Sequence, residues 1–409
     1  MTDRSRAVGR GVRFYSYLEP SGYGMAALAH LRGLVNAGTG VEWHIVERGH
    51  EPDIVTRPAA AAAPTPWADG DRALADLPAL RAATALPLAC DHVVAFTVPE
   101  HWPHLFEPGR RNVGCTVWET DRLPPHWRDL LDRAHGIVVP CAQNAAVVAA
   151  AGVTTPVHVV PHIRRHAWND FTVAELDAAR HEFAVDGAST LFYSINAWDP
   201  RKDVPSLLYA FASAFTRDDP VALIVKTGAS GFGPPPLYAR RDVATLAREA
   251  LDAIGAALGR APPRVTVLPY ELSGRGVDLV HRLGQVYVST THGEGWGLGA
   301  FDAATLGRPV LMTGWGGHRD WLGDDAAWPG ALPWRMTRVP VFPPDRPSYW
   351  RSQRWANVDI AATAQVFRAY VARPQAHRRA ANAIAERIAG AYAEPRVAAA
   401  FAAAVFADG

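Results

Sequence analysis

His292-Gly293-Glu294-Gly295-Trp296-Gly297-Leu298-Gly299-Ala300-Phe301-Asp302 follows an apolar run, Gln285–Ser289, and leads into a helical pattern over Gly299–Leu306. A strand that gives way to a glycine turn and then a helix is the repeating unit of a parallel α/β sheet. At such a turn several backbone N–H groups point outward together, and glycine lets a ligand come close. That suits a phosphate or a sugar hydroxyl. Glu294 lies in the loop, and Asp302 lies about two turns into the helix near the same face. Two acceptors so spaced can hold different hydroxyl pairs of one extended ligand. A tight turn and a helix with a solvated Asp would look the same in isolation, so the rest of the chain has to decide.

Outward from this stretch, strands and helices alternate along the whole chain. Val12–Tyr17, Val41–Val46, His92–Val98, Asn112–Val117, Gly136–Val139 and Val157–Val160 form one set of expected strands. Helical stretches such as Met25–Val35 and His126–Ala134 lie between them. A second set is Thr190–Ile195, Ala222–Thr227, Val265–Leu268, Val286–Ser289 and Val310–Thr313, with helices Val204–Thr216, Asp242–Leu258 and Gly299–Leu306. Two successive sets, split near residues 161–188, predict an α/β protein of two doubly wound parallel-sheet domains. Open α/β sheets bind ligands outside the carboxyl ends of their strands, so such a pair makes an interdomain cleft. Thr56–Asp71 reads as an Ala/Pro-rich loop and Ala331–Arg354 as irregular. Asp359–Phe406 reads as helical, with breaks at Pro374 and Pro395.

Several other strand ends carry chemistry. Ser194-Ile195-Asn196-Ala197-Trp198-Asp199-Pro200-Arg201-Lys202-Asp203 places Arg201 and Lys202 after the first strand of the second set, where cations suit a diphosphate. Lys226 ends the next strand and could serve the same anion or pair with a neighbouring carboxylate. In the first set, Pro20-Ser21-Gly22-Tyr23-Gly24 links strand to helix, and Gly22 and Gly24 would let backbone approach a ligand. Val117-Trp118-Glu119-Thr120-Asp121 puts Glu119 at the same face, with Asp121 a candidate helix cap. A carboxylate such as Glu119 could also take a proton from an acceptor hydroxyl. His101 and His104 are weaker alternatives, and His162 reads as hinge structure.

These motifs resemble the retaining glycosyltransferases of the GT-B fold, family GT4. That family carries two Glu separated by seven residues, matched here by Glu294 and Asp302 with Asp in the second place. Leu306-Gly307-Arg308-Pro309-Val310-Leu311 and the glycine loop Thr313–Asp320 also look like the family. So does Arg201-Lys202, which is similar to an Arg-Lys-Asn, mannosyltransferase-like subgroup. Most members have an Arg five residues before the Lys, where this chain has Ala197. The resemblance spans about residues 10–400. It implies an acceptor domain over 1–163, a nucleotide-sugar domain over 164–375, and C-terminal helices over 376–409 that cross back. Glu294 would bind the donor sugar and Asp302 the ribose. Arg201, Lys202, Lys226 and the run Gly295, Trp296, Gly297, Leu298, Gly299 would surround the donor. Glu119 would touch sugar or acceptor. The co-substrate would be a GDP- or UDP-sugar, with no separate cofactor and no required metal. The acceptor would be a glycan, glycolipid or small molecule. A non-catalytic two-lobed binding protein and a GT-B sugar-nucleotide epimerase are the alternatives.

Composition agrees with this class. The 409 residues are 49% hydrophobic and 20% charged, with net charge +1, which argues against bulk nucleic-acid binding. Cys90, Cys115 and Cys141 have no metal spacing and form an odd set, so reduced buried thiols are expected. No apolar run resembles a signal peptide or a membrane span, so a cytoplasmic protein is expected, with peripheral membrane contact left open. Arg4, Arg6, Arg10 and Arg13 crowd the N-terminus as a frayed end or an anion contact.

Overall fold

The computed structural model describes residues 11–48, 54–85, 87–235, 238–340, 342 and 348–407. Arg4, Arg6 and Arg10 lie outside the described residues. The strands are β1 (Gly11–Ser16), β2 (Val41–Arg48), β3 (Ile54–Pro58), β4 (Cys90–Phe96), β5 (Arg111–Cys115), β6 (Gly136–Val139), β7 (Val157–Val159), β8 (Thr190–Ile195) and β9 (Val221–Thr227). They continue as β10 (Ser230–Phe232), β11 (Arg240–Asp242), β12 (Arg264–Pro269), β13 (Val286–Ser289), β14 (Val310–Thr313), β15 (Ala331–Leu332), β16 (Trp334–Arg338) and β17 (Arg354–Val358).

The first sheet runs β3-β2-β1-β4-β5-β6-β7 and the second β12-β9-β8-β13-β14-β15. Every pairing in them is parallel except the antiparallel edge β2–β3. The central strands are buried along their length, as in β9, where Val221 to Val225 are all buried. Helices cover both faces, so these strands read as continuous apolar runs rather than alternating ones. In each sheet the order reverses at the first strand: β1 sits between β2 and β4, and β8 between β9 and β13. That reversal opens a crevice at the carboxyl ends. It places the loops after β1, β4, β8 and β13 where a ligand is to be held.

The helix Gly22–Asn36 and the last helix, Glu394–Phe406, cover one face of the first sheet through Leu31, Val397, Phe401 and Val405. The last helix has therefore left the second domain, whose core takes Ile384 and Ile388 from the preceding helix Gln375–Ala391. Among the described residues no helix is long and apolar enough to cross a membrane.

Several expectations are corrected. The Ala/Pro-rich loop begins with a strand, β3, and the irregular segment holds β15 and β16 and ends where β17 begins. These are short or edge strands whose exposed residues do not alternate, as in β3 and β16. The helix expected over His126–Ala134 is only Trp127–Leu131. The expected breaks in the C-terminal helical stretch are present: it divides into Ile360–Ala372, Gln375–Ala391 and Glu394–Phe406, with Pro374 at the start of the second and Pro395 in the first turn of the third, where its missing N–H costs nothing. Arg13 is no anion contact: it pairs with Glu42 at 3.2 Å and Glu107 at 2.9 Å.

Candidate functional site

The loop after β8 is built around Asp199. Its carboxylate accepts the Arg201 N–H at 2.9 Å, and its carbonyl accepts those of Lys202 and Asp203 at 2.9 and 3.2 Å. Asp203 then adopts φ of +47°, a left-handed conformation uncommon outside glycine, and starts the helix Val204–Ala214. This hook turns Arg201 and Lys202 back over the sheet. The loop after β13 is stitched to it: the Arg201 carbonyl accepts the His292 N–H at 2.7 Å, and the Asp203 carbonyl accepts the Thr290 hydroxyl at 2.8 Å. The His292 ring stacks on Trp355 at 4.4 Å, its Nδ1–H donates to the Ala356 carbonyl at 2.7 Å, and its Nε2 lies 3.6 Å from Asp203 Oδ2.

The stitching brings four charges together. Lys202 Nζ lies 2.5 Å from Glu294 Oε1, and Arg201 Nη1 lies 3.3 Å from Glu294 Oε2. Arg201 Nη2 reaches Glu119 Oε1 of the first domain at 3.4 Å, and Arg201 also donates to the Gly293 carbonyl at 2.7 Å. Side-chain exposure is only 8% for Glu294, so the pairs are shielded from solvent. Burial pushes the Glu294 carboxyl up, but Lys202 and then Arg201 outweigh it and hold it at about 2. Burial also acts against Arg201, yet Glu119 and Glu294 keep it well above its ordinary value. The Glu119 carboxyl is pushed up by burial against the pull of Arg201. Glu294 is thus an ionised acceptor, while Glu119 is the softer of the two carboxylates.

The glycines of this loop serve the domain contact. A Cβ on Gly293 would lie 2.0 Å from the Glu119 carbonyl oxygen, and one on Gly295 would lie 1.8 Å from Val117 Cγ2. Here glycine allows one domain's backbone to press against the other. Gly297 has φ of +80° and caps the helix Leu298–Thr305, so the N–H groups of Leu298 and Gly299 open toward the cleft. Trp296 is buried, edge-on to Phe301, Tyr392 and His162.

Asp302, in the second turn of that helix, is partly buried on the cleft. Burial pushes its carboxyl up to about 7, Arg165 opposes this, and Asp278 and Asp71 add to it. Arg165 joins the domains: it lies 2.5 Å from Asp71 and 2.8 Å from Asp278. The cleft, of about 670 Å³, runs from Glu119 past Glu294 to Asp302 and on to Glu271 and Val277. Lys226 lines it but lies 3.7 Å from Glu271, so the carboxylate pairing is what forms. Gly22 and Gly24 are not in a loop: Ser21 caps the helix, which holds both in its first turn, and a Cβ on Gly24 would meet the Glu19 carbonyl at 2.2 Å. Asp121 caps no helix; it accepts the Arg354 N–H at 2.6 Å. His101 meets the Tyr17 hydroxyl at 2.8 Å, His104 is exposed, and His162 is buried with its Nδ1 lacking a hydrogen bond. Cys90, Cys115 and Cys141 are free and buried. Among the described residues no group of three His, Cys, Asp or Glu side chains could hold a metal ion.

Sequence reasoning missed Asp203, Trp355, Arg165, Asp71 and Asp278. Asp203 closes the quoted motif without a role assigned to it, although it carries a signal, since an acid before Val-Pro marks a helix start. The others meet only through tertiary contacts and carry none.

Two facing Rossmann-like sheets with this cleft between them define the fold of the GT-B glycosyltransferases. The chain is similar to the Anabaena protein Alr3699/HepE in complex with UDP and glucose, at TM-score 0.61 and 13% identity over 96% of this chain and 98% of that one. It is similar to the sucrose-phosphate synthase of Thermosynechococcus elongatus, at TM-score 0.60 and 14% identity over the same shares. It also resembles the trehalose-6-phosphate protein of E. coli bound with UDP-2-fluoro glucose, at TM-score 0.60 and 12% identity over 98% and 99%. No protein-family model and no curated protein matches the chain.

Proposed function

We propose that this protein is a retaining, GT4-like glycosyltransferase that moves a hexose from a nucleotide-diphosphate sugar to a hydroxyl of a glycan, glycolipid or small-molecule acceptor. The observation that carries the proposal is the largely shielded quartet Glu119–Arg201–Glu294–Lys202, with Glu294 buried and the other three part-buried, at the reversal point of the second sheet. Charges shielded from water are costly unless paired, and four of them facing a large cleft are better explained by a reaction than by stability. Solved neighbours of the same fold that hold UDP or a UDP-sugar support UDP as the first nucleotide to test.

In this scheme the nucleotide lies on the second domain. Asp302 takes the ribose hydroxyls. Lys202, Arg201 and the N–H groups at the start of the helix Leu298–Thr305 receive the diphosphate, whose charge grows as the glycosidic bond breaks. Glu294, kept ionised by the same two cations, accepts hydrogen bonds from hydroxyls of the transferred sugar. The acceptor hydroxyl attacks from the face that the diphosphate leaves, which preserves the anomeric configuration without a protein nucleophile. Glu119 stands on the acceptor side and, with its carboxyl raised, can take the hydroxyl proton. Cations already in place make a metal unnecessary.

A thermal-shift panel of UDP, GDP, ADP, dTDP and their common sugars, with and without EDTA, tests this. A ligand that binds only the native state raises the melting temperature by mass action. One nucleotide is expected to do so equally with EDTA present, and the shift is expected to vanish in Asp302→Ala. No shift with any of them would refute the proposal.

A further inference from the structure

The hairpin β16–β17 carries a cationic surface that the transfer at Glu294 leaves unused. Among the described residues from Trp334 to Arg354 there are four arginines, Arg335, Arg338, Arg351 and Arg354, and no acid. Arg338 and Arg354 are direct cross-strand partners, so their side chains share one face, and both are exposed. Like charges placed this way weaken a hairpin. The turn that leads into β17 is closed by the Gln353 N–H on the Trp350 carbonyl at 3.0 Å and carries the exposed Arg351. Trp334 and Trp350 are exposed by 39% and 46%. The carboxylate at this edge, Asp121, is engaged by the Arg354 N–H at 2.6 Å and by Arg122 at 3.3 Å.

This surface adjoins the segments around Glu119 and Gly293. The Tyr349 ring lies against that of Trp118, the residue before Glu119, at 5.4 Å and a tilt of 33°, and Ser348 donates to Glu100 at 2.8 Å. Trp334 lies 6.3 Å from Trp315, whose ring borders Gly293. The hairpin therefore packs directly on the two loops that carry Glu119 and Gly293. Guanidinium pairs bind oxyanions through parallel hydrogen bonds, and exposed indole faces pack against the C–H faces of pyranose rings.

Resting on the glycosyltransferase reading above, we propose that β16–β17 is a docking surface for a polyanionic glycan, an acceptor whose repeating acidic groups meet Arg338 and Arg354 while its rings lie on Trp334 and Trp350. A glycan fits better than a bilayer because the charges and indoles adjoin, through Trp315 and Tyr349, the loops that carry Gly293 and Glu119.

The full chain is titrated with polygalacturonate and with neutral dextran, followed by calorimetry. Polygalacturonate is expected to bind and dextran not, and binding should weaken at least about tenfold as salt rises from low to physiological strength and beyond. Arg338→Gln/Arg354→Gln should weaken it about tenfold or more, whereas Arg338→Lys/Arg354→Lys should keep most of it, and the UDP thermal shift should be unchanged in both. Equal binding of dextran, or full affinity in the Gln variant, overturns the proposal. So does binding to phosphatidylglycerol vesicles, lost in the Gln variant, without binding to polygalacturonate. If no nucleotide shifts the melting temperature while polygalacturonate binding still depends on Arg338 and Arg354, the transferase reading fails and the glycan surface stands.

Discussion

Replacing Glu294 by Gln keeps the shape of the side chain and removes one charge from the quartet. The carboxyl is held at about 2. Against an ordinary Glu value of about 4.3, this is about 3 kcal/mol of preference for the ionised form. The sign follows from linkage: a depressed acid contributes stability that is present above the unfolded value and is lost as pH falls toward the folded one. Glu294→Gln is therefore expected to cost up to about 3 kcal/mol at pH 7 and only about 1.4 kcal/mol at pH 3. Urea unfolding followed through tryptophan emission reads this, since Trp296 adjoins the loop and Trp355 stacks on His292. The same variant should lose at least about a hundredfold in transfer rate, as for a removed transition-state contact. A variant as stable as the parent at pH 7, or a gap that does not narrow on acidification, would show that Glu294 is not held by Lys202 and Arg201 as described. Normal turnover would refute its place in the reaction.

Arg201→Met leaves Glu119 mostly buried without its cation, so transfer should fall about a hundredfold and the acidic limb of the pH–rate profile should move up. Gly295→Ala places a methyl group 1.8 Å from Val117 Cγ2, so the domains should separate. Transfer should then drop steeply while the nucleotide thermal shift remains, and small-angle scattering should show a larger radius. Asp302, held up at about 7, should ionise between about pH 6 and 8. Donor affinity measured by calorimetry should rise with pH through that window and be flat in Asp302→Asn. Because this acid is raised in the folded state, its effect on stability has the opposite sense to that of Glu294: stability is lost as pH climbs from about 4 to about 7.

The sheets were legible because doubly covered strands must be apolar throughout, and runs such as Val221–Val225 and Val286–Val288 can hardly be anything else. The edge elements were not, because β3 and β16 are exposed and short and owe their pairing to the neighbouring strand. The site divides along the same line. Glu294, Arg201 and Lys202 were found since each stands where a strand ends at a sheet reversal, a position that sequence periodicity locates. What those residues do to one another was not, because Arg201 pairs with Glu119 across 82 positions and Arg165 with Asp71 across 94. The glycines show the difference most clearly. A run of alternate glycines after a strand reads as a place for a ligand to approach. At Gly293 and Gly295 it is the Glu119 carbonyl and the Val117 side chain that approach. The two explanations join at one point: only backbone without Cβ atoms lets the first domain come near enough for Glu119 to reach Arg201, and that contact sets both the charge of the cleft and the distance across it.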